Sequence, residues 1–233
     1  MSAPATRAVF FDVDFTLIYP GPAFQGEGYR AFCARHGIEV DAARFPAAVI
    51  SASHILDREQ DAVYDPQIFI DYTSHIIRGM GGEGAAVVRC ATEIYQEWAV
   101  CQHFLLYDDV AASLEALAAE DICIGLISNT HRSLEAFQEH FELEDFIDVA
   151  VSSSQHGFMK PHPSIFEAAL KLAGVPATES MMVGDSLTQD IEGARRVGMR
   201  GVLVRRSDLE ESPDSNVADV PVIRTLLDLP RFL

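Results

Sequence analysis

The stretch Ala8-Val9-Phe10-Phe11-Asp12-Val13-Asp14-Phe15-Thr16 decides the architecture of this chain. Four apolar residues ending in a carboxylate read as a short buried strand that stops at a functional edge. For Asp12 and Asp14 to converge on one site the strand must end at once, and Val13-Asp14-Phe15 is then a turn.

Working outward, the texture changes twice. Between residues 22 and 103 the pattern is a succession of amphipathic helices, expected at 23–36, 41–54 with Asp41 as N-cap, 66–78, and 84–101. The last carries Val88, Ile94, Tyr95 and Trp98 along one side, with Tyr95 and Trp98 as core residues. From Tyr107 onward short apolar strands alternate with helices. Strands are expected at 122–127, 148–151, 181–183 and 201–204, and helices at 109–119, 132–140, 163–173 and 188–197. A polar loop follows at 208–216. This alternation predicts a doubly wound parallel α/β sheet covered on both faces. The α/β part is therefore discontinuous, 1–18 with 104–233, and residues 19–103 form a helical insert. The connections at 18–21 and 103–107 are the expected hinges.

Composition sets the outer bounds. The 233 residues are 48% hydrophobic and 22% charged, enough apolar matter for a large core and too much for a disordered chain. Thirty-five acidic residues against 17 basic give a net charge of −18, which repels nucleic acid and anionic membranes. Any phosphate site must then be built from local positive charge. Cys33, Cys90, Cys101 and Cys123 form no C-x-x-C, as expected of a reduced cytoplasmic protein. No signal-peptide pattern opens the sequence, and no run reaches the ~18 apolar residues of a membrane span. Oligomeric state has no diagnostic pattern.

In doubly wound sheets ligands collect at the carboxyl ends of the strands. Four places there carry polar residues of one kind: Asp12 to Thr16, Ser128-Asn129-Thr130, Lys160-Pro161, and Gly184-Asp185 with Asp190 following. Carboxylates gathered around one lysine suit a hard divalent cation beside a phosphate. The bland alternatives are turn formers for Asp12 and Asp14 and a helix cap for Ser128-Asn129. Lys160 has no such alternative. It is one of only two lysines, and it precedes a proline in a loop, whereas Lys171 lies on a helix face. His156 and His162 flank it as loop residues, and His36, His54, His75 and His103 share no ligand spacing.

These motifs, in this order, resemble the haloacid dehalogenase-like (HAD) hydrolase superfamily. The D-x-D-x-T motif matches Asp12, Asp14 and Thr16. The strand-ending serine matches Ser128, the family lysine matches Lys160, and G-D-x-x-x-x-D matches Gly184, Asp185 and Asp190. One departure is Phe15, where the family usually has glycine. The resemblance implies that the insert is a C1-type cap. It further implies that Asp12 is a nucleophile forming an aspartyl-phosphate, and that Asp14 is a general acid and base, protonated when substrate arrives. Mg²⁺ would be held by Asp12, the backbone carbonyl of Asp14, and Asp185, with Asp190 and Thr16 supporting them from behind. Ser128, the N–H groups of Asn129 and Thr130, and Lys160 would bind the phosphate.

The function so implied is Mg²⁺-dependent hydrolysis of a small phosphorylated metabolite. A 2-haloacid dehalogenase would use no metal and lack Asp14. A phosphonoacetaldehyde hydrolase would need a cap lysine, and residues 17–107 contain none. A phosphosugar mutase would want a histidine soon after the first motif, and residues 16–28 contain none. A non-catalytic binding protein would have no use for mutually repelling carboxylates. The polar segment 57–65, with Arg58, is expected to approach the site.

Overall fold

The computed structural model describes residues 5–56, 63–206 and 219–233. Arg58 and the loop at 208–216 lie outside the described residues. Two compact units emerge, one of residues 20–105 and one of the segments before and after it.

The second unit opens with β1 (Ala8–Phe11), and the chain leaves it through β2 (Ile18–Pro20). The insert then runs through α1 (Gly26–Arg35), α2 (Phe45–Ala52), α3 (Pro66–Gly79) and α4 (Ala86–Glu97). Local chemistry sets these bounds. Asp65 caps α3 by accepting from Gln67 N at 2.9 Å, and Pro66 supplies a first-turn residue that needs no N–H partner. Asp41 caps only a single 3₁₀ turn, Ala42–Arg44, so the helix expected at 41–54 is split, and α2 starts beside Pro46. On α4 the buried side chains are Val87, Cys90, Ala91 and Ile94, at i, i+3, i+4 and i+7. Val88 is 46% exposed, which corrects the face expected for it. Trp98 packs on Phe24 and Phe104, with ring centroids 4.5 and 5.0 Å away. Tyr95 instead shares a 2.5 Å hydroxyl contact with Tyr64.

The chain returns through β3 (Phe104–Leu106), which pairs with β2 as a two-stranded ribbon. Then follow α5 (Val110–Ala119), β4 (Cys123–Ser128), α6 (Leu134–Phe141), β5 (Val149–Ser152), α7 (Ser153–His156) and α8 (Pro163–Ala173). The remainder is β6 (Ser180–Gly184), α9 (Gly193–Arg196), β7 (Arg200–Val204) and β8 (Val222–Ile223). Six strands pair in parallel in the order β5-β4-β1-β6-β7-β8. The strand β1 is central and fully buried on both faces. On one face Phe10, Ile127, Val151 and Met182 pack with Ile165, Phe166 and Ala169 of α8. Phe10 lies so close over Gly125 that a Cβ there would meet its ring at 2.4 Å. The helix expected at 188–197 begins instead as a wide π turn, Leu187–Glu192, because Ser186 O accepts from both Asp190 N and Ile191 N. Among the described residues no helix is long and apolar enough to cross a membrane.

Asp109 ties distant parts of this unit together. Its Oδ2 accepts from Arg206 Nη1 at 2.6 Å, Thr225 Oγ1 at 2.7 Å and Leu226 N at 2.8 Å. Burial alone would raise the Asp109 carboxyl, but these donors outweigh it and hold the group below the usual carboxylate range. A depressed pKa contributes stability that is present above the unfolded value, about 3.9, and lost as pH falls through the folded value. Asp109→Ala should therefore cost about 2–4 kcal/mol near neutrality. Urea titrations across pH should show the gap to the parent protein narrowing below about pH 4.

Candidate active site

The central strand hands the chain to the site through a tight turn. Asp12 N donates to Val183 O at 2.9 Å, the last ladder contact of β1. Val13 O then accepts from the N–H groups of Thr16, Leu17 and Ile18, while Phe15 N donates to Ile18 O at 2.7 Å. The turn requires φ of +65° at Phe15. That is the left-handed region, where the glycine expected from the resemblance would sit without strain.

Asp12 is nearly buried and faces Lys160, whose Nζ lies 2.6 Å from Asp12 Oδ1 and 2.7 Å from Asp190 Oδ1. Lys160 is itself buried, and its backbone is clamped by Asn129. Asn129 Oδ1 accepts from Lys160 N at 2.7 Å, and Nδ2 donates to Lys160 O and to Gln189 Oε1, both at 3.0 Å. The Asn129 side chain thus braces the lysine loop. Asp190 Oδ2 accepts from Ser186 N at 3.0 Å, so both of its oxygens are engaged. It reaches this position only because residue 184 is glycine, where a Cβ would come within 2.2 Å of Asp190 Oδ2.

Carboxylate oxygens of Asp12, Asp185 and Asp190 lie within 4.8 Å of one another. Burial raises Asp12 to about 7, with the like charges of Asp190 and Asp14 adding to the effect and Lys160 opposing it. Asp185 is raised well above its ordinary value, first by the protein packed around it and then by Asp12 and Asp190. Burial would lower Lys160, but the Asp12 and Asp190 carboxylates more than reverse this and keep it charged. One ammonium cannot balance three carboxylates. The all-oxygen donor set and its unrelieved charge fit a hard divalent cation.

Asp14 does not join this cluster. Its two oxygens accept from Arg132 Nη1 at 3.2 Å and Nη2 at 3.1 Å, a bidentate geometry typical of a carboxylate. Arg132 is the residue that sequence reasoning missed, having placed it at the start of a helix. Ser133 caps α6, which begins at Leu134, and Arg132 remains in the loop beyond β4. The available signal was a cation four residues past Ser128, at the same sheet end as two aspartates.

Ser128 ends β4, one strand over from Asp12, and its Oγ is buried with no hydrogen-bond partner among the described residues. Thr16 Oγ1 is in the same condition, while Thr16 O accepts from Arg206 Nη2 at 2.5 Å. A buried hydroxyl without a partner costs about 1–3 kcal/mol, so one at this end of the sheet suits a ligand acceptor. His162 caps α8 by accepting from Ser164 N at 3.2 Å, and Ser164 Oγ also meets His156 Nε2 at 2.8 Å.

A parallel six-stranded sheet with a lysine-paired aspartate at the end of its central strand defines a Rossmann-like α/β fold whose polar cluster lies at the switch point. The family model for haloacid dehalogenase-like hydrolases matches residues 6–198, and the chain belongs to that family. It is 31% identical over 139 residues to haloacid dehalogenase-like hydrolase domain-containing protein 3 of Xenopus laevis, a match spanning 59% of this chain and 57% of that protein. It is 30% identical over 243 residues to the N-acylneuraminate-9-phosphatase of Homo sapiens, covering 100% of this chain and 96% of that one. Among solved structures, a HAD phosphatase from Thermococcus onnurineus aligns with a TM-score of 0.65 and 26% identity over 97% of each chain.

Gly184→Ala tests how tightly the site is packed. Asp190 cannot yield without leaving Lys160 or Ser186 N. The substitution should cost roughly 1–3 kcal/mol in urea unfolding. Unchanged stability would mean that Asp190 moves freely.

Proposed function

We propose that this chain is a Mg²⁺-dependent phosphohydrolase that cleaves a small phosphomonoester through an aspartyl-phosphate on Asp12. The observation that carries it is the buried Lys160 ammonium against Asp12, together with the unpartnered Ser128 hydroxyl that ends the neighbouring strand. Two of the similar proteins are named phosphatases, which supports the same reading.

Asp12 Oδ attacks phosphorus while the bond to the leaving oxygen breaks, and that oxygen takes a proton from Asp14. Water then attacks the phosphorus of the aspartyl-phosphate and returns a proton to Asp14. The products are inorganic phosphate and the free Asp12 carboxylate. To donate in the first half, Asp14 must give up one arm of Arg132 when substrate is bound. Arg132 is thereby a positioning residue for Asp14. Lys160 and the Ser128 hydroxyl face the charge that builds on the transferring oxygens. Asp12, Asp185 and the Asp14 carbonyl would hold Mg²⁺, since both oxygens of Asp190 are occupied. Mg²⁺ held there would supply charge neutralisation at the transferring phosphoryl oxygens. Residues 20–105 would serve as the cap.

Three outcomes test the proposal. Asp12→Asn should abolish turnover of every phosphomonoester without unfolding the protein, and residual activity above a few per cent would remove Asp12 as nucleophile. Asp14→Asn should lose far more on alkyl phosphates than on p-nitrophenyl phosphate, whose leaving group needs little protonation. Mg²⁺ at ~10 times its dissociation constant should stabilise by about 1.4 kcal/mol, or roughly 3–6 °C in Tm. Asp185→Asn should lose that shift, and its retention would place the ion elsewhere.

A further inference from the structure

Phe15 combines three properties that do not ordinarily occur together. Its φ is +65°, a conformation in which a bulky side chain is an outlier. Phe15 is 43% exposed, whereas Val13, Thr16, Leu17 and Ile18 in the same turn are fully buried. It follows Asp14 directly, and between Val13 and Ile18 only Asp14 and Phe15 escape full burial, at the carboxyl end of β1. The turn itself does not need the ring. Its hydrogen bonds all run through the backbone, from Val13 O and Phe15 N. Glycine would make them without strain. A strained, exposed aromatic beside a reacting group is the kind of outlier that persists at sites of function.

We propose that Phe15 is a specificity-determining residue, its ring forming an apolar wall against the leaving group. Substrates would then be phosphomonoesters whose alcohol carries an apolar surface next to the phosphate. This rests on the phosphohydrolase reading above, in which Asp14 meets the leaving oxygen. Whatever is attached to that oxygen must pass the neighbouring side chain. A ring there gains more from an apolar group than from a polyhydroxylated one, whose hydroxyls it cannot hydrogen-bond.

The test compares kcat/KM for benzyl, n-hexyl and glycerol phosphates in the parent enzyme and in Phe15→Gly and Phe15→Leu, all with Mg²⁺. Using ratios within each enzyme removes general losses of activity. In Phe15→Gly the benzyl-to-glycerol and hexyl-to-glycerol ratios should each fall about tenfold. Phe15→Leu should restore most of the hexyl ratio. Glycine suits the backbone at this position, so the variant should fold, with its melting curve as the check. Ratios unchanged to within twofold in Phe15→Gly would overturn the proposal and leave the phosphohydrolase reading intact. A parent enzyme that cleaves none of the three esters, nor p-nitrophenyl phosphate, would overturn that reading itself and this proposal with it.

Discussion

The ammonium of Lys160, withdrawn from water between Asp12 and Asp190, is the constraint on which the rest of the site depends. A buried cation is tolerable only with close, well-oriented anions, and buried carboxylates only with a cation. Each member therefore fixes the position of the others. Asn129 holds the lysine backbone from both sides, and the absent side chain at Gly184 admits the Asp190 carboxylate. The wide turn at Leu187–Glu192 then aims that carboxylate inward. Even so the cluster keeps an excess of negative charge, a standing invitation to a divalent cation.

Topology explains why so few residues suffice. The sheet order reverses direction around β1, so the chain ends of β4, β1 and β6 open side by side. Ser128, Asp12 and Asp185 come from those three adjoining ends. A second ion pair, Arg132 with Asp14, stands apart from the first. The two aspartates of the opening motif consequently have different partners despite being two residues apart. That separation lets one remain with lysine while the other answers to arginine.

The fold was largely legible because a parallel sheet leaves a coarse signal. Short apolar runs at intervals, each followed by turn or polar residues, survive small errors in the placement of their ends. Asp12 and Asp185 were legible because each follows such a run, Lys160 because a scarce lysine precedes a proline in a loop, and Asp190 only through its spacing from Asp185 in the family motif. What stayed hidden depends on geometry finer than periodicity. Arg132 looked like the first residue of a helix because the Ser133 cap one position later carries the true boundary. Val88 and Val87 are equally apolar, and only the packing of α4 on its neighbours decides which is buried. The ribbon of β2 and β3 joins strands too short to show alternation.

The insertion of residues 20–105 between β1 and its neighbours also imposes an order on assembly. Ala8 lies opposite Cys123 on one side and Ser180 on the other, so every hydrogen bond of the central strand spans a long loop of chain. A chain growing from a ribosome completes all four helices of the insert before either neighbour of β1 has been made. Until then Ala8–Phe11, the most buried strand of the finished protein, has no sheet to enter. High contact order of this kind slows folding and lengthens the exposure of an apolar segment. The helical insert, whose contacts are local by comparison, is under no such delay.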